Sequence, residues 1–287
     1  MKRSVFSLST CLVFFLAGIL IYQAWTYSNK FQRYKLAYTS ELNFQSSLLD
    51  VTDYLNSNEW KSTQKKSKET WKKAYRAKQT AIKSCIGLAG FITLYFFLFW
   101  YFFKRKTITL TQIGFVVLNV SLICLMTGIL LPFIELGAFM EDLNIDLGIG
   151  IAKTFEGKIY FFYQSKTVIQ LVQTLFINGN WIVGLAIFLF SIVFPFSKLI
   201  LFYTFLFSKQ LSQNYNLLKV VSYMGKYSMA DIFVAASFLA FLSFNNINVG
   251  IQTESTTLPG LYFFLGYCLI SIGTYYLIKK NKLVHID

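Results

Sequence analysis

Lys198 and Asp231 are the residues of this sequence best placed to do chemistry, because each is an ionisable group within an apolar run. Lys198 lies in the run Ile182 to Phe207, and Asp231 lies near the start of the run Tyr227 to Phe244. Ionisable residues inside membrane helices are expensive to bury and commonly mark ion or substrate pathways. By rise per residue both charges fall in the cytoplasmic half of the bilayer, so we expect them to be buried as a pair.

Hydroxyl groups and a proline share the helix faces of these two charges. Ser191, Pro195 and Lys198 are spaced i, i+4 and i+7, which places them on one stripe of a helix. Ser228 and Asp231 are spaced i and i+3 and also share a face. The spacing predicts an intramembrane polar network. In simpler interpretations, Lys198 snorkels to the cytoplasmic interface and Asp231 is an acid favoured at a helix start.

Lesser candidates among the polar residues of the apolar runs are Asn119, Thr127, Ser237 and Ser271. A hydroxyl in a membrane helix usually bonds its own backbone or a neighbouring helix. From the residues alone, a structural role is therefore favoured for all four.

The elements that must position these side chains are membrane helices. Of 287 residues, 55% are hydrophobic and 14% are charged, whereas about a quarter are charged in soluble domains. The apolar runs are Val5–Trp25, Ser84–Phe103, Ile113–Ile134, Ile182–Phe207, Tyr227–Phe244 and Leu261–Ile278. The sequence predicts an all-α fold, a polytopic membrane helix bundle with about six transmembrane helices. Pro132 and Pro195 are predicted to kink their helices.

The segment Tyr27 to Lys83 predicts long helices outside the membrane, because it contains neither proline nor glycine. Residues 1–106 would then form a transmembrane hairpin with a helical extracytoplasmic insert, residues 27–83. From position 60 to 83 the insert has nine basic residues and one acid. Its residues Trp60, Trp71, Lys72 and Lys73 suit a surface for lipid head groups. Packing within a helical hairpin is an equal alternative for the two tryptophans.

The loop charges predict the orientation in the membrane. Basic clusters at 104–106 and 279–282 fall on the side of Lys2 and Arg3, whereas Glu135 to Lys166 has five acids and three lysines. Both termini are therefore expected in the cytoplasm. The basic segment 27–83 is an exception, which the rule tolerates for long loops. Thr167 to Ile177 is too short to span and is predicted to lie at the interface.

Cysteine and histidine usage argues against an enzyme or a metal protein. The four cysteines occur singly, and the only histidine is His285. A zinc ribbon or a disulfide-exchange site needs paired cysteines. Phosphate-binding glycine loops and G-x-S-x-G are absent. The net charge of +14 is not gathered in a nucleic-acid motif. We expect no catalytic activity, no cofactor, no metal and no nucleic-acid partner.

Ile113 to Ile278 resembles the four-helix membrane module of the paraquat-inducible protein A family. Three segments carry the resemblance: Leu130-Leu131-Pro132, then Gly179-Asn-Trp181 with Ser191-Ile-Val-Phe-Pro195-Phe-Ser-Lys198-Leu, and Gly225-Lys-Tyr-Ser228-Met-Ala-Asp231-Ile-Phe233-Val234. On this resemblance residues 107–287 form a single module. The segment Met1 to Phe103 has no counterpart in the family pattern, and the zinc ribbons of many members are missing.

The resemblance implies a component of the bacterial inner membrane that works with MCE-domain proteins, which form periplasmic tunnels for phospholipid or other apolar molecules. It also implies that Ser191, Lys198, Ser228 and Asp231 form a polar network, with Ser271 at a hydroxyl position of the last helix. The expected function is lipid trafficking for maintenance of the cell envelope, with membrane lipids and an MCE-type protein as partners. The alternative is a membrane scaffold or stress-response protein that transports nothing.

Overall fold

The computed structural model describes residues 3–41, 57–104, 110–146, 152–207 and 252–283. Its helices are α1 (Arg3–Glu41), α2 (Ser57–Lys104), α3 (Leu110–Leu130), α4 (Val168–Ile177), α5 (Trp181–Phe188), α6 (Phe194–Phe207) and α7 (Pro259–Leu283). Its strands are β1 (Pro132–Asp146), β2 (Ala152–Thr167) and β3 (Gln252–Thr257). A π-helical turn, Leu189–Val193, joins α5 to α6. The fold is mostly helical, as predicted, and it also contains a small sheet.

Four helical stretches in the described ranges are long and apolar enough to cross a membrane: Thr10–Ser40, Lys65–Phe102, Thr111–Leu130 and Trp181–Leu206. The last predicted span forms α7, a helix of 25 residues whose stretch Pro259–Thr274 is apolar. The predicted fifth span, Tyr227 to Phe244, lies outside the described residues. The polytopic membrane bundle is confirmed in the helices that are described.

Helices α1 and α2 form a long antiparallel hairpin with small residues along the contact. Ala24 packs near Cys85, and Phe31 packs on Ala74 and Ala77. Alanines at such positions let two helices approach closely. The prediction of long helices within 27–83 is confirmed, since α1 continues to Glu41 and α2 begins at Ser57. The predicted domain boundary at residues 106 and 107 falls between α2 and α3, outside the described residues.

The segment from Glu135 to Lys166, predicted only as an extramembrane loop, forms most of an antiparallel sheet with strand order β2-β1-β3. Glu135 of the central strand pairs with Ser165 of β2 and with Thr256 of β3. Register shifts within the β1–β2 pair, one of them between Ala138 and Phe139, interrupt the strict alternation of side chains. This interruption is why the period of two that identifies a strand is weak in the sequence.

The two predicted helix kinks have different outcomes. Pro132 does not kink a helix: α3 ends at Leu130, four residues before the predicted end of the span, and Pro132 is the first residue of β1. Proline is tolerated there because a first strand residue need not donate a ladder hydrogen bond. Pro195 is the second residue of α6, which begins directly after the π-helical turn. A proline and a π-helical turn are both recognised causes of local bending.

The interfacial segment is helical as predicted. Thr167 caps α4, because its hydroxyl accepts from the backbone N–H of Gln170 while the Gln170 side chain accepts from the backbone N–H of Thr167. Gly179 has φ 78°, a left-handed conformation that suits glycine, in the turn that leads from α4 to α5. This turn explains the glycine of Gly179-Asn-Trp181 in the resemblance. The position of α4 at the membrane interface stays a prediction.

Helices α3 and α7 pack with their backbones in contact. A Cβ atom added at Gly128 would lie 2.8 Å from the backbone nitrogen of Phe264. One added at Gly260 would lie 2.6 Å from the carbonyl oxygen of Leu131. Side chains larger than hydrogen would clash with backbone at both positions, so these glycines allow the C-terminal end of α3 to pack closely against the start of α7.

Candidate functional site

Lys198 and Ser191 are both buried within the bundle. The exposed fraction of Lys198 is 4%, and that of Ser191 is 2%. A snorkelling lysine keeps its ammonium group in water, so this burial favours the network interpretation. Ser228 and Asp231 lie outside the described residues. Their pairing with Lys198 therefore stays a prediction.

Ser271 is a buried residue of α7. The hydroxyl of Tyr267, one helical turn before Ser271, donates to the carbonyl oxygen of Pro195 at 3.4 Å. This bond places the two helices side by side, three residues before Lys198. Ser271 is buried, and its hydroxyl has no hydrogen-bond partner among the described residues.

Asn119 of α3 is a further buried polar residue. The sequence predicts a structural role for it. The hydroxyl of Tyr203 on α6 donates a hydrogen bond to the side-chain oxygen of Asn119 at 2.5 Å. The Asn119 side-chain nitrogen is buried and has no hydrogen-bond partner within the described part of the chain. Thr127, in contrast, bonds the carbonyl oxygen of Ile123 in its own helix at 2.7 Å, as predicted.

We call Asn119, Ser191, Lys198, Tyr203 and Ser271 the intramembrane polar set. These residues supply one cation, three hydroxyl groups and an amide, which are suited to a phosphate group, a water molecule or a proton-carrying acid. In the described ranges, no group of three or more His, Cys, Asp or Glu side chains is arranged to hold a metal ion.

A second buried cluster lies at the sheet, and it was not among the sites predicted from the sequence. Glu135 Oε1 is 3.7 Å from Lys35 Nζ, and Oε2 is 3.8 Å from Lys78 Nζ. The hydroxyl of Tyr163 donates to Oε1 at 3.1 Å, and that of Thr256 donates to Oε2 at 3.0 Å. We call these five residues the Glu135 hub.

Aromatic rings surround the ammonium group of Lys35. Its Nζ atom lies 4.2 Å from the ring centre of Trp71, and the rings of Tyr38, Tyr160 and Tyr163 lie within 5.8 Å. Their negative faces attract the cation where water is excluded. Burial raises the pKa of the Tyr163 hydroxyl, and the charge of Glu135 raises it further. Tyr163 therefore stays a neutral hydrogen-bond donor to the carboxylate.

One sequence signal for the hub exists. Ala24, Ser28, Phe31 and Lys35 are all buried in α1, at successive spacings of four, three and four residues. That spacing is the seam of a helical hairpin, so a lysine in it needs a buried partner. The partner is 100 positions away in the sequence, and no local pattern identifies it.

The residues of the predicted head-group surface have different environments in the structure. Trp71 stacks obliquely on Tyr38, with ring centres 5.1 Å apart, and also covers Lys35, so it contributes to packing within the hairpin. Lys72 and Lys73 are exposed. The side chain of Trp60 lies outside the described part. Contact with lipid head groups stays a prediction.

Comparison with known proteins identifies the C-terminal part of the chain. Residues 154–283 match the family described as PqiA, Paraquat-inducible protein A. This match confirms the resemblance, although it begins after α3, the predicted first helix of the module. Lys198 and Asp231 lie within the matched residues, whereas Glu135 lies before them. No curated protein and no solved structure matches the chain.

Proposed function

Because residues 154–283 match the paraquat-inducible protein A family, we propose that this protein is an inner-membrane component of a lipid trafficking system. It would move phospholipid or another amphiphile to or from a periplasmic MCE-type partner and so maintain the cell envelope. In this proposal both termini face the cytoplasm, and the protein is neither an enzyme nor dependent on a cofactor.

The burial of Lys198 is the observation that supports the proposal most. A charged side chain at the centre of a membrane helix is unfavourable by about 2.5–3.5 kcal/mol, and an apolar residue would pack there without that penalty. With an exposed fraction of 4%, Lys198 is packed among protein atoms and is shielded from solvent. A charge kept in such a place despite its cost is typical of pathways for ions and polar groups.

Within this proposal, Lys198 supplies the positive charge and Asp231 the acid that is paired with it. Ser191, on the same face as Lys198, and Ser271, on the adjoining helix, supply hydroxyl groups that satisfy whichever partner the lysine has. Exchange of the acid for a lipid phosphate, or protonation of the acid, would change the partner of Lys198. Such a change is a way to couple the arrival of cargo to helix packing.

The alternative is a membrane scaffold or stress-response protein in which the charges only fix helix packing. The close contact of α3 with α7 at Gly128 and Gly260 is compatible with such a rigid structure. The two functions predict different activities for a protein from which both charges have been removed. Mutation of the two residues therefore distinguishes them.

The test compares Lys198→Ala, Asp231→Ala and the double variant. Removal of both charges removes both desolvation costs and restores packing without charge. If the pair is functional, all three variants reach normal membrane levels and have no activity in lipid transfer or in complementation of envelope sensitivity. The matched control is Lys30→Ala, which removes an exposed lysine of α1 and keeps full activity. An active double variant would favour the scaffold.

A further inference from the structure

The N-terminal hairpin contacts the module outside the apolar bundle through a buried carboxylate. Glu135 forms ion pairs with Lys35 of α1 and Lys78 of α2. It also accepts hydrogen bonds from Tyr163 of β2 and Thr256 of β3. We infer that Glu135 is a positioning residue that docks this hairpin on the sheet, which makes the hairpin a built-in partner of the module.

The charges of the hub make Glu135 necessary for docking. The Lys35 side chain is 8% exposed, and that of Glu135 is 10% exposed. Lys78 is 35% exposed and keeps access to water. A buried lysine without a carboxylate is strongly unfavourable, and aromatic rings compensate for only part of that loss. Docking therefore depends on Glu135 mainly through Lys35.

The interface continues along α1 and β2 in both directions from Lys35. The side-chain nitrogen of Gln32 donates to the carbonyl oxygen of Ser165 at 3.2 Å. The ring of Tyr38 meets the ring of Tyr160 edge-on at 5.9 Å. Contacts on both sides of the hub fix one register between helix and strand, as expected of a specific interface.

The Glu135 hub also connects the part of the chain that matches the family to the part that precedes the match. Tyr163 and Thr256 lie within the matched residues 154–283, whereas Lys35, Lys78 and Glu135 precede them. The central strand β1 follows α3, which holds Asn119, and β3 precedes α7, which holds Ser271. A hairpin docked at Glu135 therefore holds the C-terminal end of α3 and the N-terminal end of α7, the helices that carry Asn119 and Ser271 of the intramembrane polar set.

The test measures docking by cross-linking in membranes, in the full chain. Gln32→Cys and Ser165→Cys, in a background with the four native cysteines replaced, are joined by a short thiol-reactive cross-linker. Cleavage at a protease site inserted after Lys106 then divides the chain into two fragments. Cross-linked fragments stay together on a gel, whereas uncross-linked fragments separate. We expect Glu135→Ala to lower the cross-linking rate at least about tenfold, since the loss of one member of a buried pair is strongly destabilising.

Two further variants separate a specific dock from general damage. Glu69→Ala removes an exposed glutamate of the hairpin and keeps the wild-type rate. Lys35→Met combined with Glu135→Gln removes both charges and restores the rate to within about twofold of wild type. If Glu135→Ala does not accumulate, Tyr163→Phe and Thr256→Val, which each remove one hydrogen bond, should give intermediate rates. Wild-type rates in Glu135→Ala, or in both of these milder variants, would overturn the inference.

Discussion

In the Glu135 hub both carboxylate oxygens have an ammonium group and a hydroxyl group as partners. In the intramembrane polar set, the side-chain nitrogen of Asn119 and the hydroxyl of Ser271 have no hydrogen-bond partner among the described residues. A buried network whose members are all satisfied holds one arrangement, whereas a network with spare donors is able to accept another partner. We therefore predict that the hub holds one position, whereas the set, which includes the buried hydroxyl of Ser271, takes a further partner.

The backbone around the Glu135 hub is more regular than the backbone around the intramembrane polar set. The hub lies on two continuous helices and on strands that are paired on both sides of Glu135. The set includes Ser191, which lies within a π-helical turn that ends two residues before Pro195. Single π-helical turns are frequent at functional sites. A helix with an irregular hydrogen-bond ladder at this point is better suited to rearrange than the paired strands are.

The largest expected effect comes from matched substitutions of the two buried lysines. Lys35→Ala removes the ion pair with Glu135 and the contact with Trp71, and should lower the free energy of unfolding by about 3 kcal/mol. Lys198→Ala should lower it by less than about 1 kcal/mol, because removal of a charge from the membrane offsets the lost contacts and the acid proposed to pair with Lys198 is neutralised by taking up a proton. Unfolding in detergent, followed by tryptophan fluorescence, measures both values. Equal losses in the two variants would contradict the comparison.

The sequence was informative wherever the physics is local. Apolar runs predicted the described membrane helices, and the spacing of Ser191 and Lys198 predicted their shared buried face. Helix formers without proline or glycine predicted the continuation of α1 to Glu41. Each of these properties depends on residues within one or two helical turns of each other.

The sequence was uninformative where the physics is long-range. The strands β1 and β2 were missed because register shifts interrupt their alternation, and loop charges report the side of the membrane rather than the structure. Glu135 was read as one acid among five in a loop. Its role depends on Lys35, Lys78 and Thr256, whose approach is decided by tertiary packing alone. Asp231 lies outside the described residues, so its pairing is undecided.

A smaller effect should separate the hydroxyl groups of the two clusters. Thr256→Val removes a donor to Glu135 and should lower the free energy of unfolding by about 1–2 kcal/mol, because the bond is to a charged group. Ser271→Ala removes a buried hydroxyl whose partner is not in the described ranges, and should be neutral or slightly stabilising. Lipid transfer should show the reverse order, with Ser271→Ala the more impaired. A stability loss in Ser271→Ala as large as in Thr256→Val would mean that the set is as rigid as the hub.

The smallest expected effect is the response of the hub to alkaline pH. Burial and the charge of Glu135 raise the pKa of Tyr163 above its ordinary value of about 10. Below pH of about 10 the hydroxyl is protonated in both the folded and the unfolded chain, so its contribution to stability is fully present. Above that value the unfolded chain releases the proton while the folded chain keeps it, and stability is lost as the pH rises.

The variant Tyr163→Phe tests that response, because phenylalanine has no proton to release. Between pH 9.5 and 10.5 the wild type should lose about 0.7 kcal/mol more than Tyr163→Phe, from the linkage of one proton with an unfolded pKa near 10. At pH 8 the variant should be less stable by about 1 kcal/mol, since its hydrogen bond to Glu135 is gone. The matched control, Tyr75→Phe, removes a hydroxyl from an exposed side chain of the hairpin and should keep the wild-type fall. Parallel curves for wild type and Tyr163→Phe would show that the hub lets the hydroxyl ionise, and so that it is open to water as a rigid dock would not be.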